Sequence, residues 1–221
     1  LLQNRINSFD NVRALSLDPQ LKQIYGSLNN EDLFIINEFY QAKGFRKLHL
    51  EVASLGNSMQ ILHSVFFPDP CFEIPIFGVD LVVISDKISA AIVDLSPVSK
   101  NTSKFFKSSM ASITIPNFKA FRDLPDWGGI FSPYVCFISP VDNNEEKSFL
   151  KLIEDYLSAL STFLNNIKPE HADSINTKER FNFQKLYCLQ QKQNDKTRSV
   201  LSKFFGSSLA NRYIDDILFE C

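Results

Sequence analysis

His49, Glu51 and His63 stand in the stretch "KLHLEVASLGNSMQILHSVFF", residues 47–67, whose other residues are mostly those of a protein core. Two imidazoles and a carboxyl are costly to bury unless something pairs with them. Along a strand alternate side chains share a face, so His49, Glu51 and Ala53 point one way while Leu48, Leu50 and Val52 point the other. On the following strand His63 shares its face with Ile61, Val65 and Phe67. If Glu51 lies across from His63, all three polar groups share one surface, a register that needs an odd number of loop residues or a bulge. A two-residue Gly56-Asn57 turn would instead send His63 to the opposite face. The hydrophobic pattern tolerates both registers.

Three kinds of chemistry stay open for such a cluster. It can be a satisfied polar group within the core, with Glu51 bonding a histidine. It can be a metal site, since two histidines and a carboxylate are the ligand set of non-haem iron enzymes. It can do acid–base work on a bound ligand, because a buried carboxyl coupled to imidazoles has a shifted, shared titration near neutral pH. Burial would raise the Glu51 pKa and a charged histidine would lower it. Downstream, in "FPDPCFEIPIFGVDLVV", Asp80 follows closely on Gly78 in an otherwise apolar strand. It is exposed at a strand end, bonds a turn amide, or faces the same pocket as His63.

The elements that must position these groups are legible in outline. "RKLHLEVASL" and "MQILHSVFF" read as strands split by the turn signal Gly56-Asn57-Ser58, and "VDLVVIS" and "ISAAIVDLS" as two more split by Asp86-Lys87. Short sequential strands with tight turns imply antiparallel pairing. Residues 18–26 read as a short helix with Asp18 as N-cap and Pro19 at the first helical position. "NTSKFFKSSMASI" reads as a helix and "YVCFIS", 134–139, as a further strand ending at Pro140. A long amphipathic helix is predicted over 145–166, with Phe149, Ile153, Tyr156, Leu160 and Phe163 on one stripe. Helices over about 176–193, 196–205 and 208–219 follow, with Asp195 and Ser208 as N-caps and Gly206 as a stop. Strands in the middle and helices at both ends predict an α+β fold or a three-layer α/β/α sandwich. There is no repeat, low-complexity tract or linker, so residues 1–221 read as a single domain.

Composition narrows the function classes. The chain has 221 residues, 44% of them hydrophobic and 22% charged, as in an ordinary globular protein. Its 21 phenylalanines suit a core or the apolar walls around a flat ligand. A net charge of −2 gives no argument for nucleic acid. Basic residues nevertheless cluster at Lys43, Arg46 and Lys47, at Lys100, Lys104 and Lys107, and at Lys192, Lys196, Arg198 and Lys203. Such clusters are either solvated faces or a docking face for an acidic partner. Cys71, Cys136, Cys188 and Cys221 show no C-x-x-C spacing, which predicts free thiols in a reducing compartment and argues against a structural zinc site or a resident iron–sulfur cluster. No apolar run approaches membrane-spanning length, and "LLQNRINSFDNVR" does not read as a signal peptide, although the lack of an initial Met points to a missing N-terminus. No G-x-G-x-x-G or G-x-x-x-x-G-K arrangement is present, so no dinucleotide or P-loop signature exists. His171, in "KPEHADS", reads as a surface loop residue.

"FRKLHLEVASLGNSMQILHSVFFPDPCFEIPIFGVDLV", "ISAAIVDLSP", "LPDWGGIFSPY" and "YCLQQKQNDKTRSVL", followed by Phe205-Gly206, together resemble the ferredoxin-dependent bilin reductases. The likeness runs from about Phe45 to Phe219 and is strongest to the phycocyanobilin-forming branch. It implies an α/β/α sandwich that binds biliverdin IXα between the sheet and the C-terminal helices. It also implies no bound flavin or metal, single electrons from reduced [2Fe–2S] ferredoxin, bilin radicals, and a monomer in the cytoplasm, not a membrane or nucleic-acid protein. The product expected is phycocyanobilin, formed by four-electron reduction with the D-ring exovinyl group first. The alternatives are a phycoerythrobilin-forming relative or a non-enzymatic bilin carrier. By the same resemblance Asp80 is the acid at the pyrrole nitrogens, His63 its partner, Glu51 the carboxyl beside the D-ring vinyl, and His49 a relay linked to Tyr187. Ser89 and Lys196 resemble propionate anchors, Val200 lines the D-ring pocket, and Asn194 lies opposite Asp80. Ferredoxins are acidic, so Lys100, Lys104, Lys107, Lys192 and Lys203 become docking candidates. One position departs: Ser139 stands where the family usually has an arginine that clamps a propionate.

Overall fold

The computed structural model describes residues 1–56, 59–100 and 102–220. Eight strands form one antiparallel sheet: β1 Arg13–Ala14, β2 Gln23–Leu28, β3 Glu31–Ala42, β4 Phe45–Leu55, β5 Met59–Pro68, β6 Ile76–Ile84, β7 Lys87–Ser96 and β8 Cys136–Ile138. From β3 to β8 each strand pairs with its sequence neighbour, while β1 and β2 share the outer edge of β3. The long hairpin arms follow from runs of alternating or fully apolar residues bounded by short turns. Leu55 pairs with Met59, so the β4–β5 loop has three residues; its Asn57 and Ser58 lie outside the described residues.

The helices are α1 Leu2–Asn7, α2 Pro19–Lys22, α3 Lys104–Ala111, α4 Asn143–Asn166, α5 Ile175–Gln191 and α6 Asp195–Arg212, which runs into a π-helical segment, Tyr213–Leu218. α4 starts where Asp142 accepts hydrogen bonds from the amides of Asn144 and Glu145, satisfying donors the helix itself leaves free. Its stripe Phe149, Ile153, Tyr156, Leu160 and Phe163 is almost wholly buried against Phe66, Phe77, Val79 and Leu95 on one face of the sheet. The opposite face carries Ala53, Val65, Phe67 and Ile76 and is covered by Tyr187, Leu201, Ala210, Tyr213, Ile214 and Ile217 from the C-terminal elements. Each buried side chain of this size stabilises the fold by about 1.5–3 kcal/mol relative to exposure. The two layers on the two faces make the expected α/β/α sandwich.

Several boundaries differ from the sequence reading. The helix predicted over 18–26 has the expected Asp18 cap but stops at Lys22, because the chain then pairs with β3 as β2. Asn194, not Asp195, caps α6, its Oδ1 accepting from the Thr197 amide. Gly206 leaves helical geometry at φ 77°, ψ 158°, so a kink rather than a loop joins the two helical halves. Cys71 and Cys136 are free thiols, as expected; Cys188 is disulfide-bonded, a correction that sequence spacing could not supply because it reports neighbours along the chain only. Cys221 lies outside the described residues. Among the described residues no helix is long and apolar enough to cross a membrane.

Candidate active site

The three-residue loop selects the register that brings the polar groups together. Glu51 lies across from His63, His63 across from Asp80, and Asn37 of β3 across from Glu51. Asn37, Glu51, His63 and Asp80 therefore form one rung across four neighbouring strands, on the face turned to α5, α6 and the π-helical segment. His49 sits on the same face, one rung away, with its ring centroid 5.6 Å from that of His63. The rung is closed at one end and open at the other. Glu51 is 7% and His63 8% exposed, whereas 44% of the Asp80 side chain reaches solvent.

His63 Nδ1–H donates to Asp80 Oδ1 across 2.5 Å. Burial opposes a charge on His63, but the Asp80 carboxylate and its hydrogen bond outweigh burial and raise the imidazole above its ordinary 6.5. His49 is pushed the other way, well below 6.5, by complete burial and then by the charges on His63 and Lys47. Burial raises the Glu51 carboxyl, partly offset by His63 and by the Tyr213 hydroxyl bonded to it. The rung thus holds a charged imidazole and a carboxyl biased towards its neutral form, side by side. Each of those forms carries a proton to give, which is what general acid catalysis requires. Two ring nitrogens, His49 Nδ1 and His63 Nε2, are buried without a hydrogen-bond partner among the described residues.

Sequence reasoning missed two members and misassigned a link. His49 Nε2–H donates to Asn37 Oδ1 at 2.8 Å, and Tyr213 Oη lies 2.8 Å from the same oxygen and 2.9 Å from Glu51 Oε2. Among the described residues the expected link from His49 to Tyr187 is not made. Tyr187 stands over Gly78, where a Cβ would come within 3.2 Å of its hydroxyl, and accepts from Gln191 Nε2 at 3.0 Å. Two strand spacings, about 10 Å, separate β4 from β6. Asn37 did have a signal: Leu33, Ile35 and Phe39 alternate with outward residues, and Asn37 interrupts that apolar series. Tyr213 had none, being one aromatic on an apolar helical face. Lys47 also lies on this face, 3% exposed, donating to the Ile217 carbonyl at 2.9 Å between the rings of Phe39 and Phe67. Burial lowers it to about 7 despite Glu220 nearby.

The other expected contacts are more scattered. Ser89 Oγ donates to the Val82 carbonyl at 3.1 Å, beside the bulge where β6–β7 pairing shifts. Lys196 and Val200 are exposed on α6, and the Asn194 amide oxygen is engaged as its cap. Arg122 reaches Ser139 Oγ at 3.3 Å and stacks over Phe137, so a guanidinium stands at the departing position after all. Lys100, Lys104 and Lys107 are exposed next to or on α3, which packs with α4; Lys203 is exposed on α6, in the opposite layer. Lys192 is tied to Asp215 at 2.8 Å. The five lysines do not form one patch on one layer. Among the described residues no group of three His, Cys, Asp or Glu side chains is arranged to hold a metal ion.

With this geometry in place, comparison with known proteins gives consistent matches. The profile of the family described as ferredoxin-dependent bilin reductase matches residues 1–220. The chain is 49% identical over 219 residues to phycocyanobilin:ferredoxin oxidoreductase of Prochlorococcus marinus (strain SARG), covering 99% of this chain and 89% of that protein. It is 50% identical over 209 residues to the protein of the same name from Synechococcus sp. (strain CC9902), covering 95% and 85%. In fold it matches the crystal structure of tomato phytochromobilin synthase in complex with biliverdin, with TM-score 0.79 at 19% identity over 99% of this chain and 80% of that one.

Proposed function

This chain belongs to the ferredoxin-dependent bilin reductases, and from that premise we propose that it reduces biliverdin IXα to phycocyanobilin. It is an oxidoreductase that draws electrons from ferredoxin. The observation that carries the finer reading is the rung of Glu51, His63 and Asp80, buried at one end and open at the other, on the face towards the C-terminal helices. A flat tetrapyrrole lying in the opening would meet Asp80 first, with His63 and Glu51 behind.

Each electron added to the bilin leaves negative charge in an apolar cleft, at high cost unless a proton follows. The His63 proton would pass across the 2.5 Å bond to the Asp80 carboxylate, and Asp80 would deliver it to the pyrrole nitrogens and ring carbonyl, leaving His63 neutral. Glu51 would serve the exovinyl group of the D-ring, the first bond reduced, with the A-ring second. Four electrons and four protons balance the two reductions, and the bilin passes through radical states because ferredoxin delivers electrons singly. No flavin or resident metal is needed, since the substrate itself is the redox centre. On this reading Ser89, Lys196 and Arg122 would contact the propionates, and Asn194, Val200 and Tyr187 would form walls of the bilin site. We take residues 1–221 as one domain acting as a monomer in the cytoplasm, where reduced ferredoxin is held.

Anaerobic incubation with biliverdin and photoreduced ferredoxin, with pigments separated by chromatography, tests this reading. Phycocyanobilin is expected. A product that keeps its D-ring vinyl group would refute the assignment, and biliverdin bound with altered absorbance but never reduced would make the protein a carrier.

A further inference from the structure

The direction of each hydrogen bond around Glu51 can be followed from one backbone carbonyl. Asn37 Nδ2 donates to the Leu21 carbonyl at 2.8 Å. A carbonyl only accepts, so turning the carboxamide over would set two oxygens against each other, and the amide orientation is fixed. Asn37 Oδ1 therefore faces His49 Nε2 and Tyr213 Oη, each at 2.8 Å. That oxygen too can only accept, so both neighbours must donate to it. A phenol has one proton, and Tyr213 has now spent it. The second contact of the Tyr213 hydroxyl, Glu51 Oε2 at 2.9 Å, then needs a hydrogen from the carboxyl side.

We infer that Asn37 and Tyr213 are positioning residues that hold Glu51 as a neutral carboxylic acid, its proton on the oxygen facing Tyr213, before any bilin binds. The Leu21 carbonyl sets the polarity of the chain, Asn37 passes it on, and Tyr213 presents a lone pair to Glu51. His49 is fixed by the same logic with its proton on Nε2 and a bare Nδ1, the atom that has no partner among the described residues. Burial raises the Glu51 carboxyl, the charged His63 and a Tyr213 hydroxyl acting as donor pull it down, and Asp80 across the rung raises it again; the Asn37 oxygen claims the Tyr213 proton and so removes that donor. Lys47 and His49 share the strand with Glu51. When Glu51 gives its proton away, an O–H bond breaks and Tyr213 must swing its own O–H from Asn37 to the new carboxylate. Release of the proton and reversal of the hydrogen bond are coupled. Only the destination of the proton, a bilin carbon reduced by ferredoxin, rests on the proposed function.

The test uses ligand-free protein, without bilin or ferredoxin, and so fails or succeeds apart from turnover. Infrared difference spectra of wild type minus Glu51→Gln at pH 7 should show the carbonyl band of a protonated carboxyl; the other buried carboxyl, Asp94 of β7, which burial raises to about 6, is present in both proteins and cancels. Absence of that band overturns the inference. Asn37→Leu frees the Tyr213 proton for Glu51, so the band should titrate away about one to two pH units lower. Tyr213→Phe removes the acceptor that holds the Glu51 proton, so the band should titrate away at lower pH in this variant too, whereas loss of a Tyr213 donor would let it persist to higher pH. A structural role for Asn37 predicts no shift, or a rise from the loss of a polar neighbour, and either result rejects the assignment. Should Asn37→Leu not fold, the wild-type spectrum and Tyr213→Phe decide alone: a band that persists to higher pH in Tyr213→Phe contradicts the inference.

Discussion

Replacing Asp80 by Asn removes a charge from the His63 pair while keeping the side-chain shape and a hydrogen-bond acceptor. In the wild type burial lowers His63, and the Asp80 charge and hydrogen bond raise it by more. A hydrogen bond to a charged group is worth about 1.5–3 kcal/mol, and Asp80 is 44% exposed, so solvent screening places the loss towards the lower end. At about 1.4 kcal/mol per unit, His63 should fall by about one unit or more, and unopposed burial then carries it below 6.5. Three histidines make the assay simple. Ring NMR signals of ligand-free protein should show His63 titrating above 6.5, His49 staying neutral well below it, and His171, with 81% of its side chain exposed, giving a surface signal. In Asp80→Asn only the His63 curve should move substantially. Linkage gives the stability pattern: a raised histidine contributes fully below its unfolded pKa of about 6.5 and loses that contribution as pH rises through the folded value. The variant should therefore be destabilised most in mild acid and least in base. A His63 that titrates below 6.5 in wild type, or one that ignores the substitution, would refute the reasoning.

Three other outcomes are expected. Glu51→Gln should still consume biliverdin but change which double bond is reduced, seen as a shift in the chromatographic product ratio; an unchanged product would remove Glu51 from the D-ring. Lys47 is depressed from 10.5 to about 7, so the unfolded chain binds the extra proton and stability should rise with pH between those values, with a total swing of several kcal/mol. Lys47→Met should flatten that slope in denaturant titrations, and an unchanged slope would show that another group causes it. Ferredoxin-driven turnover should weaken as salt rises, because the docking charges are exposed. Neutralising Lys100, Lys104 and Lys107 together should raise the KM for ferredoxin more than neutralising Lys203 and the already paired Lys192; the reverse order would move the docking face to the α6 layer.

The central hairpin was readable because Leu48, Leu50 and Val52 alternate with His49, Glu51 and Ala53 ahead of an evident turn and a second apolar run. Its register was not, since Gly56-Asn57-Ser58 permits loops of two or three residues and only tertiary pairing chooses. Strand β3 escaped notice because Glu38 and Tyr40 dilute its alternation, and with it went Asn37, the residue that orders the cluster. The start of α6 shows how local rules compete: Asn194 and Asp195 are both good caps, and the one whose side chain turns back to Thr197 wins. The catalytic candidates themselves came from residue type and from the family resemblance. Their partners came from the three-dimensional pairing of strands, which spacing along the chain does not encode.

Single-electron delivery to biliverdin bound by Asp80→Asn, followed by electron paramagnetic resonance and absorbance, tests most directly whether acids on the sheet protonate the pigment as it gains electrons. The variant should halt with a one-electron-reduced bilin radical and form no phycocyanobilin, while wild type passes through that state to product. Phycocyanobilin released by the variant at the wild-type rate, with no radical accumulating, would contradict the role given to the rung.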